Sequence, residues 1–187
     1  PPPRSVYPTI SAGTLVGWEA RKTGWTALPG VNYPTTIQQP EPVDYGSDFD
    51  ATRRIDHHPP KRTDSRYGVR VAVLDADNNE RGVLRMPAVS VPIATYTGWN
   101  LRNPTIGVPE ALLGLAGGYL EFPKTESDRV GTGDHRRSIA ERYADFDAYL
   151  AKTMRAADTL ILTGYLLEEH RDGIKAVTES HRPLFAH

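Results

Sequence analysis

The chain contains no cysteine. That excludes disulfide bridges, thiolate zinc sites and a cysteine nucleophile, and leaves the compartment open. No apolar run approaches the roughly 20 residues of a membrane-spanning helix, and no charged-then-apolar leader is visible. A soluble protein, cytoplasmic or exported, is therefore expected. Neither charge is in excess: 22 Lys and Arg against 23 Asp and Glu leave a net charge of -1. Electrostatics thus favours neither nucleic acid nor an anionic membrane.

Catalytic motifs are missing too. A serine hydrolase of the α/β type places its nucleophile in G-x-S-x-G, because the strained strand-to-helix turn tolerates little bulk nearby. Ser5, Ser11, Ser47, Ser65, Ser90, Ser127, Ser138 and Ser180 all lack that setting. There is no phosphate-cradling G-x-x-x-x-G-K-[ST] and no H-E-x-x-H. The glycine-rich stretch 114–118 has no following Lys-Ser/Thr and reads as close backbone packing or a turn. Residues 75–79 open like a calcium loop, but the glycine at the sixth position and the closing glutamate are absent, so a hairpin turn is the better reading. No metal or other cofactor is expected.

What is abundant is proline, with 16 residues, ten of them before Lys61. Proline lacks an N–H and breaks helices, so every potential helix in residues 1–64 is expected to be interrupted. That part reads as an extended wrapping segment with one or two short strands, leaning on a partner surface. It contains the only histidine pair, His57 and His58. Neighbouring side chains in an extended segment point opposite ways, which disfavours a shared metal ion. A surface pair is the simpler reading; the other is a catalytic base completed by residues outside the chain. His135, His170, His181 and His187 read as surface residues.

Residues 65–135 read as a β-hairpin and loop region. Val69, Val71 and Val73 alternate in one strand (67–74), residues 82–86 form the return, and Asp75, Asp77, Asn78 and Asn79 supply the turn. The run 88–96 is interrupted by Pro92, as in an edge strand. Residues 136–187 read as helical. Ser138 and Glu141 have capping-box spacing. Asp145 is a good N-cap for a helix over 146–163, with Gly164 as its stop. Along it Phe146, Tyr149, Leu150, Thr153, Ala157, Leu160 and Ile161 form one apolar stripe. A last helix over 168–179 should end before Pro183.

One segment stands apart. Residues 94–102 gather Tyr96, Trp99, Thr95, Thr97, Asn100 and Arg102 around Gly98. Polar handles beside aromatic surface suit a loop that lines a ligand or docks a domain. A structural turn with Trp99 buried fits equally well.

These residues also carry a resemblance. Residues 86–102, ending Thr-Tyr-Thr-Gly-Trp-Asn-Leu-Arg, resemble the LPEVAVPLATYTGWNLR signature of large bacterial alpha/beta hydrolase domain-containing proteins. Residues 75–80 resemble that family's DADGNE turn, 113–119 its CGLAGSY, and 138–149 its SLEERYGSREAY helix. Shorter matches lie at 2–8, 13–15 and 29–34. This sequence departs from the pattern at Asn78, where the family has glycine, and at Leu113, where it has cysteine; 47–64 align with nothing.

The resemblance implies an α/β fold, the C-terminal portion of an α/β-hydrolase-like ester hydrolase. The nucleophile and histidine would precede this region and lie outside the chain, which opens Pro-Pro-Pro-Arg and reads as a fragment. The implied partners are the catalytic N-terminal portion of the same protein, or a second chain, and a small-molecule ester. Tyr96, Thr97, Trp99, Asn100 and Arg102 are the expected substrate-lining residues, and no catalytic residue is assigned. The alternative is a non-catalytic binding or scaffold module docking a partner through the loop 97–102.

Overall fold

Proline confines helix in the first third without abolishing it. The computed structural model describes residues 6–35, 37, 39–63, 65–82, 84–112 and 117–186. Between Pro8 and Pro29 no proline intervenes, and strand β1 (Leu15–Gly17) runs straight into helix α1 (Trp18–Thr23). Glu19 in its first turn and Lys22 in its last are paired at 3.2 Å, with each charge placed to suit the helix dipole. The expectation that proline would break every helix here is thus corrected.

Further on, β2 (Val43–Asp44) pairs antiparallel with β3 (Lys61–Arg62), closing a loop that carries the single helical turn α2 (Phe49–Thr52). Strand β4 (Arg70–Ala72) pairs with β1, Leu15 opposite Ala72 and Gly17 opposite Arg70. The expected partner, residues 82–86, is not a strand at its described residues 82 and 84–86, and this is a second correction. The turn at 75–79 does close: Asp75 N–H donates to Asn79 O at 2.8 Å and Arg81 N–H to Val73 O at 2.7 Å. Beyond it Pro87 begins the short helix α3 (Pro87–Ser90), proline being favoured at a first helical position. The valine alternation of β4 is met across its other edge, by β1.

Strand β5 (Ala94–Thr97) pairs antiparallel with β6 (Gly118–Glu121), Tyr96 opposite Tyr119 and Thr97 opposite Gly118. Helix α4 (Glu126–Thr132) follows, with a capping box of Thr125 and Asp128 and a stop at Gly133 (φ 71°). This helix departs from the hairpin-and-loop region expected over 65–135. Helix α5 (Ile139–Arg142) carries the Ser138–Glu141 capping box. These bonds hold the Glu141 carboxyl at about 2, below its usual 4.5, with Arg129 adding to the effect.

Helix α6 (Phe146–Leu162) starts at Asp145, whose carboxylate accepts from Ala148 N–H at 2.7 Å, and buries Phe146, Tyr149, Thr153, Ala157 and Leu160. The last helix begins as a 3-10 turn (Glu168–His170), continues as α7 (Arg171–Ser180), and gives way to a second such turn (Arg182–Phe185) that absorbs Pro183. α7 packs along α6, pinned by Arg171 on Asp158 at 2.6 Å.

The core is Ile93, Phe122, Ile139, Tyr143, Phe146 and Tyr149, with Phe185 stacked on Tyr149 at 5.2 Å. Each such side chain contributes about 1.5–3 kcal/mol by leaving water. Helices and small antiparallel sheets together make a mixed α/β arrangement.

His181 is no bystander on a helix surface. Its Nδ1 lies 3.2 Å from the Tyr149 hydroxyl, and burial depresses its pKa below 6.5 despite the opposing pull of Glu121. Protonation therefore favours the unfolded chain. The stability that neutral His181 contributes is complete above pH 6.5 and lost as pH falls below it toward the lowered folded value, because the unfolded state then binds the extra proton. We expect His181→Gln to flatten this part of the slope, measured by urea unfolding at about pH 8 and about pH 5. An unchanged slope would refute it.

Candidate functional site

The strand β5 delivers the loop 97–102 to one wall of a cleft of about 550 Å3, within the range of small-molecule sites. Thr97, Trp99, Asn100 and Arg102 line it together with Gly30, Asn32 and Leu120. Tyr96 does not. Side chains alternate along a strand, and the Tyr96 ring packs edge-on against Tyr119 at 5.6 Å. Burial raises its hydroxyl pKa well above the ordinary 10. The structure thus gathers four of the five expected lining residues and sets the fifth apart.

Thr97 is buried and anchors the wall. Its hydroxyl donates to Trp99 O and accepts from Gly118 N–H at 2.9 Å. Glycine is required opposite it: a Cβ on Gly117 would lie 2.3 Å from Thr97 O, and one on Gly118 2.6 Å from Thr97 Oγ1. Residues 113–116 of the glycine-rich stretch lie outside the described residues.

Asn100 is exposed, and its Oδ1 accepts from Leu101 N–H at 2.9 Å, leaving the amide nitrogen toward solvent. Arg102 donates from Nη2 to Ile106 O at 3.2 Å, while its Nε is buried without a partner. Trp99 is half-buried, its indole N–H also unpartnered. Its ring meets Trp25 at 5.5 Å and Tyr33 at 5.4 Å, both edge-on. Neither aromatic lines the cleft; Trp25 and Tyr33 back the Trp99 ring, a contact that no local pattern signals.

The turn at 75–79 holds β5 in place. The Asn79 amide donates to Ala94 O at 3.0 Å and accepts from Tyr96 N–H at 2.8 Å. Asn78, at φ 62°, makes the same paired contact with Thr26 N–H and O. This left-handed conformation suits glycine and asparagine alike, which explains Asn78 where the resembled pattern has glycine. Asp75 pairs with Arg85 at 2.6 Å and Asp77 with Arg142, so both carboxylates are committed to arginines.

His57 and His58 lie on the loop before a cis peptide bond to Pro59 and do not line the cleft. Among the described residues no group of three His, Asp or Glu side chains is placed to hold a metal ion. Hydroxyls of Ser11, Ser47, Ser90, Ser138 and Ser180 bond to Thr9, Asp48, Pro87, Glu141 and Val177 respectively, none to a histidine. A wider cleft of about 690 Å3 runs past Trp18, Glu41, Tyr45 and Arg66, where Arg62 and Arg66 share the single carboxylate of Glu41.

Residues 44–176 match the family model of the alpha/beta hydrolase domain. That is most of the chain, and the match includes the loop 97–102 and helix α6. The chain belongs to the alpha/beta hydrolase domain family. No curated protein and no solved structure matches it. No helix among the described residues is long and apolar enough to cross a membrane.

Proposed function

We propose that this region supplies substrate-binding surface to a serine ester hydrolase of the α/β-hydrolase type. The serine, its histidine and the oxyanion donors lie outside residues 1–187, in the same polypeptide or a second chain. Thr97, Trp99, Asn100 and Arg102 line the binding cleft, Tyr96 packs behind it, and the substrate is a small-molecule ester. The observation that carries this reading is the cleft itself, built from the loop 97–102 in a chain of this family that has no nucleophile elbow.

Each residue has a physical role in it. The Trp99 face offers apolar surface to an acyl or alkyl arm. The free Asn100 amide N–H and the Arg102 guanidinium offer donors to a carbonyl or carboxylate oxygen. Attack and acyl transfer follow the usual serine–histidine–acid logic, the oxyanion being stabilised by donors outside this chain.

A fluorophosphonate probe tests this on the protein carrying an intact nucleophile elbow beside this region. Labelling should map by mass spectrometry to a serine outside residues 1–187. A label on a serine within them, or none at all, would overturn the proposal, and no labelling would favour a binding or scaffold module. Arg102→Gln should raise KM for an ester with an anionic acyl arm about tenfold and leave kcat nearly unchanged, as for loss of one charge-assisted hydrogen bond made in ground and transition states alike. An unchanged KM would remove Arg102 from the site.

A further inference from the structure

A pocket of about 430 Å3 opens between α3, α5 and α6 and shares no residue with the two clefts described above. Beside the Tyr143 ring it is lined by four cations, Arg137, Arg142, Lys152 and Arg155, and by no acid. The whole chain has a net charge of only -1. Four cations around one concavity are therefore a local excess.

The charges are held close together. Arg137 Nη2 donates to Glu141 O and Lys152 Nζ to Arg142 O at 3.5 Å, so the two heads sit on consecutive carbonyls at the end of α5. Arg155 follows Lys152 by three residues on α6, a spacing at which side chains are neighbours and like charges repel. The nearby carboxylates are engaged elsewhere. Asp77 accepts from Arg142 Nη1 at 2.9 Å, Asp158 from Arg171 at 2.6 Å, and Glu141 from Ser138 and Arg129. Among the described residues, Arg137, Lys152 and Arg155 thus have no ion pair, and the Arg155 guanidinium has no partner at all.

Cations near a helix C-terminus stabilise its carbonyls, which accounts for one contact each of Arg137 and Lys152. Their other N–H groups and the whole Arg155 guanidinium stay unengaged, on three exposed side chains that line one pocket. The chemistry of these groups selects the ligand. A single carboxylate would offset only one of three cations, so the matching anion carries several charges. Arginine presents a planar fork to phosphoryl oxygens, and lysine adds a point charge. The volume is that of a small-molecule site. Nucleic acid would instead be held along an extended basic stripe, on a chain with the positive charge to attract it, which this one lacks.

We propose that this pocket binds a small phosphorylated ligand through a diphosphate or polyphosphate group, with Arg137, Lys152 and Arg155 donating to its oxygens. Arg142, fixed on Asp77, forms part of the wall. The ligand is read from the pocket's own charges and does not depend on the hydrolase reading above.

Isothermal titration calorimetry of the full chain with sodium pyrophosphate tests this. At about 50 mM salt one pyrophosphate should bind per chain, at least about tenfold more tightly than acetate, and about 300 mM salt should weaken it by screening exposed charges. Lys152→Gln and Arg155→Gln should each weaken pyrophosphate about fivefold, and Arg155→Lys, which keeps the charge, by less than about twofold. Both side chains are exposed, so the fold should tolerate either loss. Circular dichroism identifies a variant that fails to fold, and the other then carries the comparison. Lys175→Gln removes the same charge from α7, outside the pocket, and should leave the affinity unchanged. Pyrophosphate no tighter than acetate, a folded pocket variant with unchanged affinity, or an equal loss in Lys175→Gln would each overturn the proposal. So would a single-stranded oligonucleotide that binds more tightly than pyrophosphate, which would make this face a nucleic-acid surface.

Discussion

Replacing Arg136 with methionine should lower the unfolding free energy by about 3–5 kcal/mol, the usual cost of stranding one partner of a buried ion pair. Arg136 is 5% exposed and Asp134 7%. The guanidinium donates to both Asp134 oxygens, from Nε at 3.0 and 3.2 Å and from Nη2 at 2.6 Å. It also reaches Thr95 Oγ1 at 3.0 Å on β5, and Leu120 O at 2.7 Å and Glu121 O at 3.1 Å on β6. One side chain thus clamps both strands of the sheet that carries the cleft.

Burial alone would raise the Asp134 carboxyl; the Arg136 bonds and charge outweigh it and hold the pKa below 3.8. Without Arg136, Asp134 becomes a buried charge with no counterion, and two strand carbonyls lose their donor. Methionine keeps much of the volume, so the loss is electrostatic. For a chain of this size the melting temperature should fall by roughly 10 °C or more. Arg136→Lys should fall between, since a single ammonium cannot serve so many acceptors in a plane. The double variant Asp134→Leu with Arg136→Met should recover part of the loss. Urea unfolding decides it: a loss under about 1 kcal/mol for Arg136→Met would show the clamp to be dispensable.

The helical third was legible because its signals are local. Ser138 and Glu141, Asp145, the stripe from Phe146 to Leu160 and Gly164 all act within a few residues, and the observed caps and buried face follow them. Helix α4 has only Val130 as a large apolar residue, and that side chain is exposed, so no stripe announced it. Its Thr125–Asp128 cap was the one readable sign. Strand partners were illegible for a different reason. The alternation at Val69, Val71 and Val73 says strand but not which edge, and β1 lies more than fifty residues upstream of β4. In the site, the density of polar and aromatic residues at 94–102 marked the loop. Nothing local links Tyr33 or Trp25 to Trp99, because that cluster forms only when separate segments fold together. The turn at 75–79 showed its conformation in sequence, while the reach of its side chains to Thr26 and β5 did not.

That reach makes Asn79 the other position of large effect. Asn79→Ala should cost about 2–6 kcal/mol, since two buried backbone groups each lose their partner at about 1–3 kcal/mol apiece. The Asn79 side chain is fully buried. Its amide matches a peptide group, donating to Ala94 O and accepting from Tyr96 N–H, so it completes the free edge of β5 as a neighbouring strand would. Asn79→Asp should be no milder. The carboxylate still accepts from Tyr96 but faces Ala94 O without a proton to give, and it carries a charge into the interior.

Asn78→Gly is the control. Glycine adopts the φ of 62° without strain, and although the Asn78 side chain is buried, its paired contact is with the backbone of exposed Thr26, which water can satisfy once the side chain is gone. Its cost should be about 1 kcal/mol. Hydrogen exchange at the Tyr96 amide separates the two variants. Exchange should quicken strongly in Asn79→Ala and little in Asn78→Gly. Because β5 leads directly into Thr97 and Trp99, loosening it should also weaken whatever the cleft binds, whereas Asn78→Gly should leave that binding intact. Tyr96 protection unchanged in Asn79→Ala would mean that β5 is held by β6 and Arg136 alone.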